Sequence, residues 1–218
     1  MRKKCIIIGN GPSLKDVNIN ELDGEIVCCN WFLNHEKFER LKISWYCAYD
    51  NAFIYPTINM EWKKKLGQIQ GAKAFPIDWK IHINDIYNKN DKYIKLIRDK
   101  KLYEEGNVFD PSTPYNADNV IINICIPTAI LNGFSDIILI GCDTDYFKED
   151  KYFYNFKKHK TQFNHTKNTN KVWIKNSILS YKKVKDYCDK KNIRLSYFNP
   201  IEENIIFKNL KLNRTISL

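Results

Sequence analysis

The side chains of this sequence best suited to chemistry fall in short clusters: Gly9-Asn-Gly-Pro-Ser13, then Asn30, then Asp50-Asn51, then Gly141-Cys-Asp-Thr-Asp-Tyr146, and finally His165. Gly9 and Gly11, one residue apart, let a backbone turn sharply and come close to a bound group. Pro12 and Ser13 read as the start of a helix, with Ser13 as N-cap and Asp16 three residues on in a capping-box-like place. Backbone N–H groups at such a turn attract anions, so the N-terminal stretch predicts a pocket for a phosphate-bearing ligand. Asp143 and Asp145 either hold a divalent cation between them or divide into one ribose ligand and one loop cap. His165 precedes a helical pattern and carries an imidazole, which titrates near neutrality and can take a proton from a hydroxyl. Its other reading is structural.

These groups need a scaffold that brings strand ends together. Cys5–Ile8 is short, β-branched and unalternating, the pattern of a central parallel strand covered on both faces. Glu25–Asn30 reads as a second strand closing on Asn30. That residue is either a ligand contact at the carboxyl end of a strand or a strand-ending turn residue. Ser44–Tyr49 reads as a third strand that runs into Asp50-Asn51. Lys73–Ile77 reads as another, confined by Pro76 to an edge or a terminus. From about Asp78 to Pro114 no clean period appears, and the apolar patch at Tyr93, Ile94, Leu96 and Ile97 predicts loops and a short helix.

Asn116 or Asp118 is placed to cap a buried helix from Val120 to Asn132 that Gly133 stops. Pro127 inside it predicts a kink or a start after the proline. Asp136–Ile140 is the clearest central strand and delivers Gly141, Asp143 and Tyr146 at its carboxyl end. The polar, aromatic stretch at about 148–171 reads as a lid that orders over ligand. Trp173, Ile174, Ile178, Tyr181, Val184 and Cys188 recur at three and four, making an amphipathic helix down to about Lys191. Arg194–Phe198 is the last strand, closing at Asn199-Pro200, and the tail from Ile201 has room for a small amphipathic element. The whole is an α/β chain: a single Rossmann-like domain over 1–218 with a central, mostly parallel sheet.

Composition narrows the partners. The chain has 218 residues and a formal net charge of +10, with a pI near 9.1, so its partners are sought among anions: nucleotides, acidic lipid surfaces or nucleic acid. The basic residues are scattered among tyrosines and asparagines, and no zinc-finger or RNA-binding signature occurs, which argues against nucleic acid. Seven cysteines without metal-ligand spacing read as reduced core residues of a cytoplasmic protein. The N-terminal apolar run Cys5–Ile8 is far shorter than a secretory hydrophobic region. No segment approaches the ~20 apolar residues of a membrane span. Peripheral attachment to an anionic membrane face and self-association both stay open.

Taken together, Gly9-Asn-Gly-Pro-Ser-Leu14, Cys28-Cys-Asn-Trp-Phe32, the run Gly133–Gly141 with Asp143, and His165-Thr-Lys-Asn-Thr169 resemble, in that order, bacterial sialyltransferases of glycosyltransferase family 42. The resemblance implies a GT-A-like fold with a flexible lid and an inverting, metal-independent transfer from a CMP-activated sugar to a hydroxyl of a surface glycan such as a lipooligosaccharide. It places Asn10, Gly11 and Ser13 on the nucleotide, Asn30 on cytidine or phosphate, Asn51 near the ribose and Asp143 also on the nucleotide. By the same resemblance His165 is the general base, and Tyr146 and Tyr152 are the phenols that stabilise the departing phosphate. No cofactor or metal is expected. One stretch departs from the family: where an Arg-x-Thr-Ser-Gly-like motif precedes the central helix, this chain reads Asp118-Asn-Val-Ile-Ile122. Sialic acid itself is therefore only one of the CMP- or nucleotide-activated donors to be considered. A pyrophosphokinase-like enzyme on the same scaffold and a non-catalytic nucleotide-binding module are the alternatives.

Overall fold

The structure, a computed structural model, describes residues 2–36, 38–49, 56–83, 89–96, 109–114, 119–143, 167–200 and 204–215. Among them the strands are β1 (Lys4–Ile8), β2 (Glu25–Cys29), β3 (Ile43–Cys47), β4 (Ala72–Pro76), β5 (Lys92–Ile94), β6 (Asp136–Ile140), β7 (Arg194–Phe198) and β8 (Asn213–Arg214). They form one sheet in the order β5-β4-β3-β2-β1-β6-β7-β8, and every neighbouring pair is parallel. The helices are α1 (Pro56–Gly67), α2 (Ile126–Leu131), α3 (Lys167–Lys190) and α4 (Ile205–Asn209). A parallel sheet is stable only when both faces are covered, which is why β6 is buried at all five positions and β1 at its last four.

Because side chains alternate across a strand, β1 to β4 feed two separate cores. Cys5, Ile7, Val27, Cys29, Cys47 and Ala74 face one layer, where α2, α3 and α4 contribute Ala129, Tyr181, Val184, Cys188 and Phe207. Ile6, Ile8, Cys28, Tyr46 and Phe75 face the other, which α1 and short 3-10 turns cover with Leu14, Phe32, Phe38, Trp62, Leu66 and Trp79. Each fully buried side chain of this size is worth about 1.5–3 kcal/mol. The second layer gains further from the mutually packed rings of Trp62, Phe75 and Trp79, with centroids 6.1–6.3 Å apart.

Several sequence expectations change here. The segment after β1 is not an α-helix capped by Ser13 but a 3-10 turn, Pro12–Asp16, with Gly11 at its N-cap and no side-chain cap. Only 16 residues separate β1 from β2, and a second 3-10 turn at Ile19–Glu21, capped by Asn18, uses up the rest. Pro76 does end its strand, but β4 lies inside the sheet, between β3 and β5. The patch at Tyr93 and Ile94 is strand β5, not a helix. It is anchored where Asp91 accepts the Lys73 N–H at 2.8 Å and faces the buried Lys73 ammonium at 3.9 Å. A three-residue strand is too short to display a period. Helix α1 had no counterpart in the sequence reading, because only Trp62 and Leu66 of its described side chains are buried, among lysines.

The buried central helix exists in a different form. Ile121–Cys125 is a π turn in which the Ile126 N–H donates to Ile121 O, and α2 follows with Pro127 in its first turn. Proline lacks the N–H that an α-helix interior needs there, and the turn before it is widened to a π turn. Asn116 and Asp118 lie outside the described residues. The described cap is Asn119, whose Oδ1 accepts the Ile121 N–H at 2.9 Å. Gly133 (φ 79°) ends the helix as expected, with Phe134 N–H on Ala129 O at 3.1 Å. The amphipathic helix is α3, which begins at Lys167, inside the range expected for the lid. The rest of that range, 148–166, lies outside the described residues. In the tail, α4 is the small element expected.

No helix among the described residues is long and apolar enough to cross a membrane. All seven cysteines are free and buried. Burial pushes the thiols of Cys28, Cys125 and Cys142 well above their ordinary value and that of Cys188 up to about 12. Since the thiolate is the nucleophile, the native protein at pH 8 is expected to react negligibly with a thiol-specific chromophoric reagent. Seven thiols should titrate at once after denaturation, and rapid native labelling would contradict this core.

Candidate active site

From β1 the chain builds the sheet outward through β2 to β5, then returns to the centre and builds the other way through β6, β7 and β8. The loops after β1 and β6 therefore leave adjacent strands in opposite directions. A crevice at the carboxyl end of such a switch point is where open parallel sheets bind ligands. The two loops here are Gly9-Asn-Gly11 and Gly141-Cys-Asp143, the two glycine-bearing clusters of the sequence.

They meet backbone to backbone. Gly9 N–H donates to Ile140 O at 2.8 Å and Gly11 N–H to Gly141 O at 2.7 Å. A Cβ on Gly9 would stand 2.3 Å from Gly141 O, and one on Gly11 would stand 2.1 Å from Asp143 Oδ2. Gly141 itself has φ +60°, a conformation that costs other residues energy. The glycines thus serve the approach of two strand ends to one another.

The anion drawn to the start of the Pro12–Asp16 turn is likewise supplied by the chain. Asp143 Oδ2 accepts the Ser13 N–H at 2.9 Å, and Asp143 Oδ1 accepts the Asn199 amide at 3.3 Å. A hydrogen bond to a charged acceptor is worth roughly 1.5–3 kcal/mol. What the turn leaves for a ligand is side-chain chemistry. Asn10 Nδ2 donates to Cys29 O at 3.1 Å, which fixes the amide's orientation, and Asn10 Oδ1 is buried with no hydrogen-bond partner among the described residues. Ser13, 8% exposed, buries its Oγ without a partner as well. Unpaired buried polar atoms cost about 1–3 kcal/mol each and gather where a ligand completes the bonding.

One strand over, Asn30 takes a left-handed conformation (φ 45°) and opens a 3-10 turn at Asn30–Asn34. Its Oδ1 accepts the Tyr49 N–H at 3.1 Å. Its carbonyl accepts the Tyr46 hydroxyl at 2.7 Å, which in turn accepts the Trp62 indole N–H at 2.9 Å. Burial pushes the Tyr46 phenol well above its ordinary value, so it stays a neutral donor. These contacts make Asn30 a strand-ending turn residue. Asn10 and Asn30 clip β1 to β2 and β2 to β3.

Asn199, Asn204 and Arg214 were not picked out as site residues. Asn204 Nδ2 donates to Asp143 O at 2.9 Å, and Arg214 donates to Asn199 O at 2.7 Å. The signals were present: Asn199 closes its strand as Asn30 does, and Asn204 precedes the apolar Ile205-Ile-Phe207 as an N-cap would. Of the predicted site residues, Asn10, Gly11, Ser13 and Asp143 come together at the switch point, with Asn30 beside them. Asn51, Tyr146, Tyr152 and His165, together with Asp145, lie outside the described residues. A cleft of about 630 Å³ lined by Lys4, Asp23, Glu25, Arg40 and Lys42 opens at the opposite, amino-terminal edge of the sheet. Lys4 there is paired with Asp23 at 3.3 Å.

No family model matches this chain, and no curated protein matches it. Among solved structures it is similar to the sialyltransferase CST-II in complex with trisaccharide acceptor and CMP. That match has a TM-score of 0.55 at 17% identity, covering 96% of this chain and 86% of that one. It is also similar to an alpha-2,3-sialyltransferase from Campylobacter jejuni in apo form, with a TM-score of 0.50 at 16% identity, covering 97% and 80%. At these identities the likeness is one of fold: a single α/β domain on a parallel sheet.

The loop contacts predict a coupling. Because a methyl on Gly11 meets the Asp143 carboxylate first, Gly11→Ala and Asp143→Ala together should lose less stability in urea unfolding than the sum of the two alone. Gly9→Ala meets a backbone carbonyl that cannot yield, so it should cost about 3 kcal/mol, the upper end of overpacking losses. It should show no such relief when combined with Asp143→Ala.

Proposed function

We propose that this chain is a glycosyltransferase of the sialyltransferase kind, which takes a sugar from a CMP-activated donor and passes it to a glycan hydroxyl. The observation that carries the reading is the pair of unpartnered buried atoms, Asn10 Oδ1 and Ser13 Oγ, at the switch point of a sheet whose fold is shared with a sialyltransferase solved with CMP and a trisaccharide acceptor. Asn10 Oδ1 is an acceptor, and the turn that follows it already carries the Asp143 carboxylate on the Ser13 N–H, a setting that favours a ligand's N–H or O–H donors over its phosphate. The floor of the site therefore suits the nucleoside, and the phosphate extends towards the loops that follow β3 and β6.

In this reading Asn30 and Asn51 line the nucleotide from the β2 and β3 ends, and Asp143 acts on it through Ser13. His165, two residues before α3, removes the proton from the acceptor hydroxyl as its oxygen forms the new bond to the anomeric carbon. The bond from that carbon to the phosphate oxygen breaks through an oxocarbenium-like state. CMP departs with the electron pair, its developing charge met by the phenols of Tyr146 and Tyr152. A phosphate ester is already a good leaving group, so the scheme needs no metal.

The donor sugar is left as a CMP-activated sugar, with sialic acid as the first candidate. Val120-Ile-Ile122 brings no cation to the start of the π turn, where Asn119 already holds the Ile121 N–H. Association with an anionic membrane face, which the charge of +10 favours, and self-association belong to the same proposal.

A thermal-shift panel of CMP, CDP, UMP, UDP, GDP and CMP-sugars, with and without EDTA, tests the reading. CMP compounds should raise the melting temperature, since ligand at a hundred times its Kd adds about 2.7 kcal/mol, and EDTA should not change the shift. Stabilisation by UDP compounds with metal alone would overturn it. Exchanging His165→Ala should lower transfer at least ~10²-fold while keeping the CMP shift, and retained turnover would remove His165 from the role of base.

A further inference from the structure

The C-terminal segment reaches back to the switch point through one buried amide. Asn204 is 8% exposed and uses both ends of its side chain. Its Oδ1 accepts the N–H groups of Ile206 at 3.0 Å and Phe207 at 3.1 Å, capping α4. Its Nδ2 donates to Asp143 O at 2.9 Å and, at 3.5 Å, to Cys142 O. The helix it caps is fixed in turn, because the Phe207 ring packs on Tyr181 of α3 and Tyr197 of β7, with centroids 5.0 and 5.2 Å away. The rigid core of one sheet face therefore ends in a donor aimed at the loop that carries Asp143.

That loop is held on its β1 side by the Gly11 N–H on Gly141 O and the Ser13 N–H on Asp143 Oδ2, and Asn204 holds it from the C-terminal side. Gly141 is in the left-handed region, where its own backbone preference is broad. Asp143 must present its carboxylate to Ser13 across the gap between β6 and β1. From these contacts we infer that Asn204 is a positioning residue for the nucleotide site. By fixing the carbonyls of Cys142 and Asp143 it keeps the Asp143 carboxylate on the Ser13 N–H, and so keeps Ser13 Oγ and Asn10 Oδ1 turned to the ligand. Asn199 assists from β7 through Asp143 Oδ1. The part of the inference that concerns nucleotide affinity rests on the reading of the site as a CMP site; the coupling of α4 to the loop does not.

The two ends of the amide can be separated. Asn204→Asp and Asn204→Ser keep an oxygen that caps a helix but remove the donor to the two carbonyls, whereas Asn204→Ala removes both. The expected result is that the Ser variant keeps a melting temperature within a few degrees of wild type, that the Asp variant loses more because its buried carboxylate faces two carbonyl oxygens, and that both bind CMP at least tenfold more weakly by calorimetry. In the same variants, amide exchange at Gly11 and Ser13 should quicken at least tenfold relative to Ile7 and Leu139, which report the core. A merely structural cap would leave both variants like wild type in binding and in exchange, and that result overturns the inference. If wild-type protein binds no CMP, the nucleotide reading falls. The exchange ratio then decides the coupling on its own: a selective rise at Gly11 and Ser13 supports it and an unchanged ratio refutes it.

Discussion

The structure depends on how closely the ends of β1 and β6 can approach. Two hydrogen bonds of 2.7 and 2.8 Å join Gly9-Asn-Gly11 to the Ile140–Gly141 backbone, in space that a single methyl would overfill. Without that contact β1 and β6 would still pair along their length, from Lys4↔Asp136 to Ile8↔Ile140. Their loops would separate, however, and the crevice between them would have no floor. Glycine at 9, 11 and 141 is thus a condition of the site before it is a feature of ligand binding.

The same contact alters the electrostatics. A glycine turn leading into a helical turn ordinarily offers N–H groups to an incoming phosphate. Here Asp143 fills that role from inside the chain, accepting from Ser13. An internal carboxylate stabilises the Pro12–Asp16 turn in the absence of ligand, and a turn ordered in advance lowers the ordering cost of any binding there. The carboxylate also repels a second anion at the same spot. Under the proposed nucleotide reading, neutral groups at the floor, the Asn10 amide oxygen and the Ser13 hydroxyl, would discriminate by donor and acceptor pattern rather than by charge.

Much of this was legible in the sequence. β1, β2 and β6 could be read from unbroken apolar runs, and β3 and β7 from shorter ones broken by a serine, because strands buried in a parallel sheet need such runs. The polar residues that close those strands could be read as a group for the same reason. What escaped reading depends on tertiary contact. The form of the Pro12–Asp16 turn is set by Asp143, 130 residues away. The existence of β5 is set by Asp91 and Lys73, whose pairing no period announces. The π turn before Pro127 is a tertiary choice that the sequence, which marks only the proline, does not announce. Asn199 and Asn204 went unread as site residues because their importance lies in which loop they touch.

The amides of the sheet's carboxyl edge show why site and scaffold are hard to separate in this protein. Asn10 joins β1 to β2, Asn30 joins β2 to β3, and Asn199 and Asn204 join the C-terminal elements to the loop after β6. Each spends one hydrogen-bonding group on a neighbouring strand or loop. Asn10 holds the other buried and, among the described residues, unpaired. An asparagine can do this because its donor and acceptor are rigidly opposed on one short side chain; a serine cannot span the gap, and an aspartate has no donor to give. Substituting such a residue therefore changes strand alignment and ligand complementarity together. The row of strand-end asparagines is better understood as one bonded edge than as a set of independent contacts.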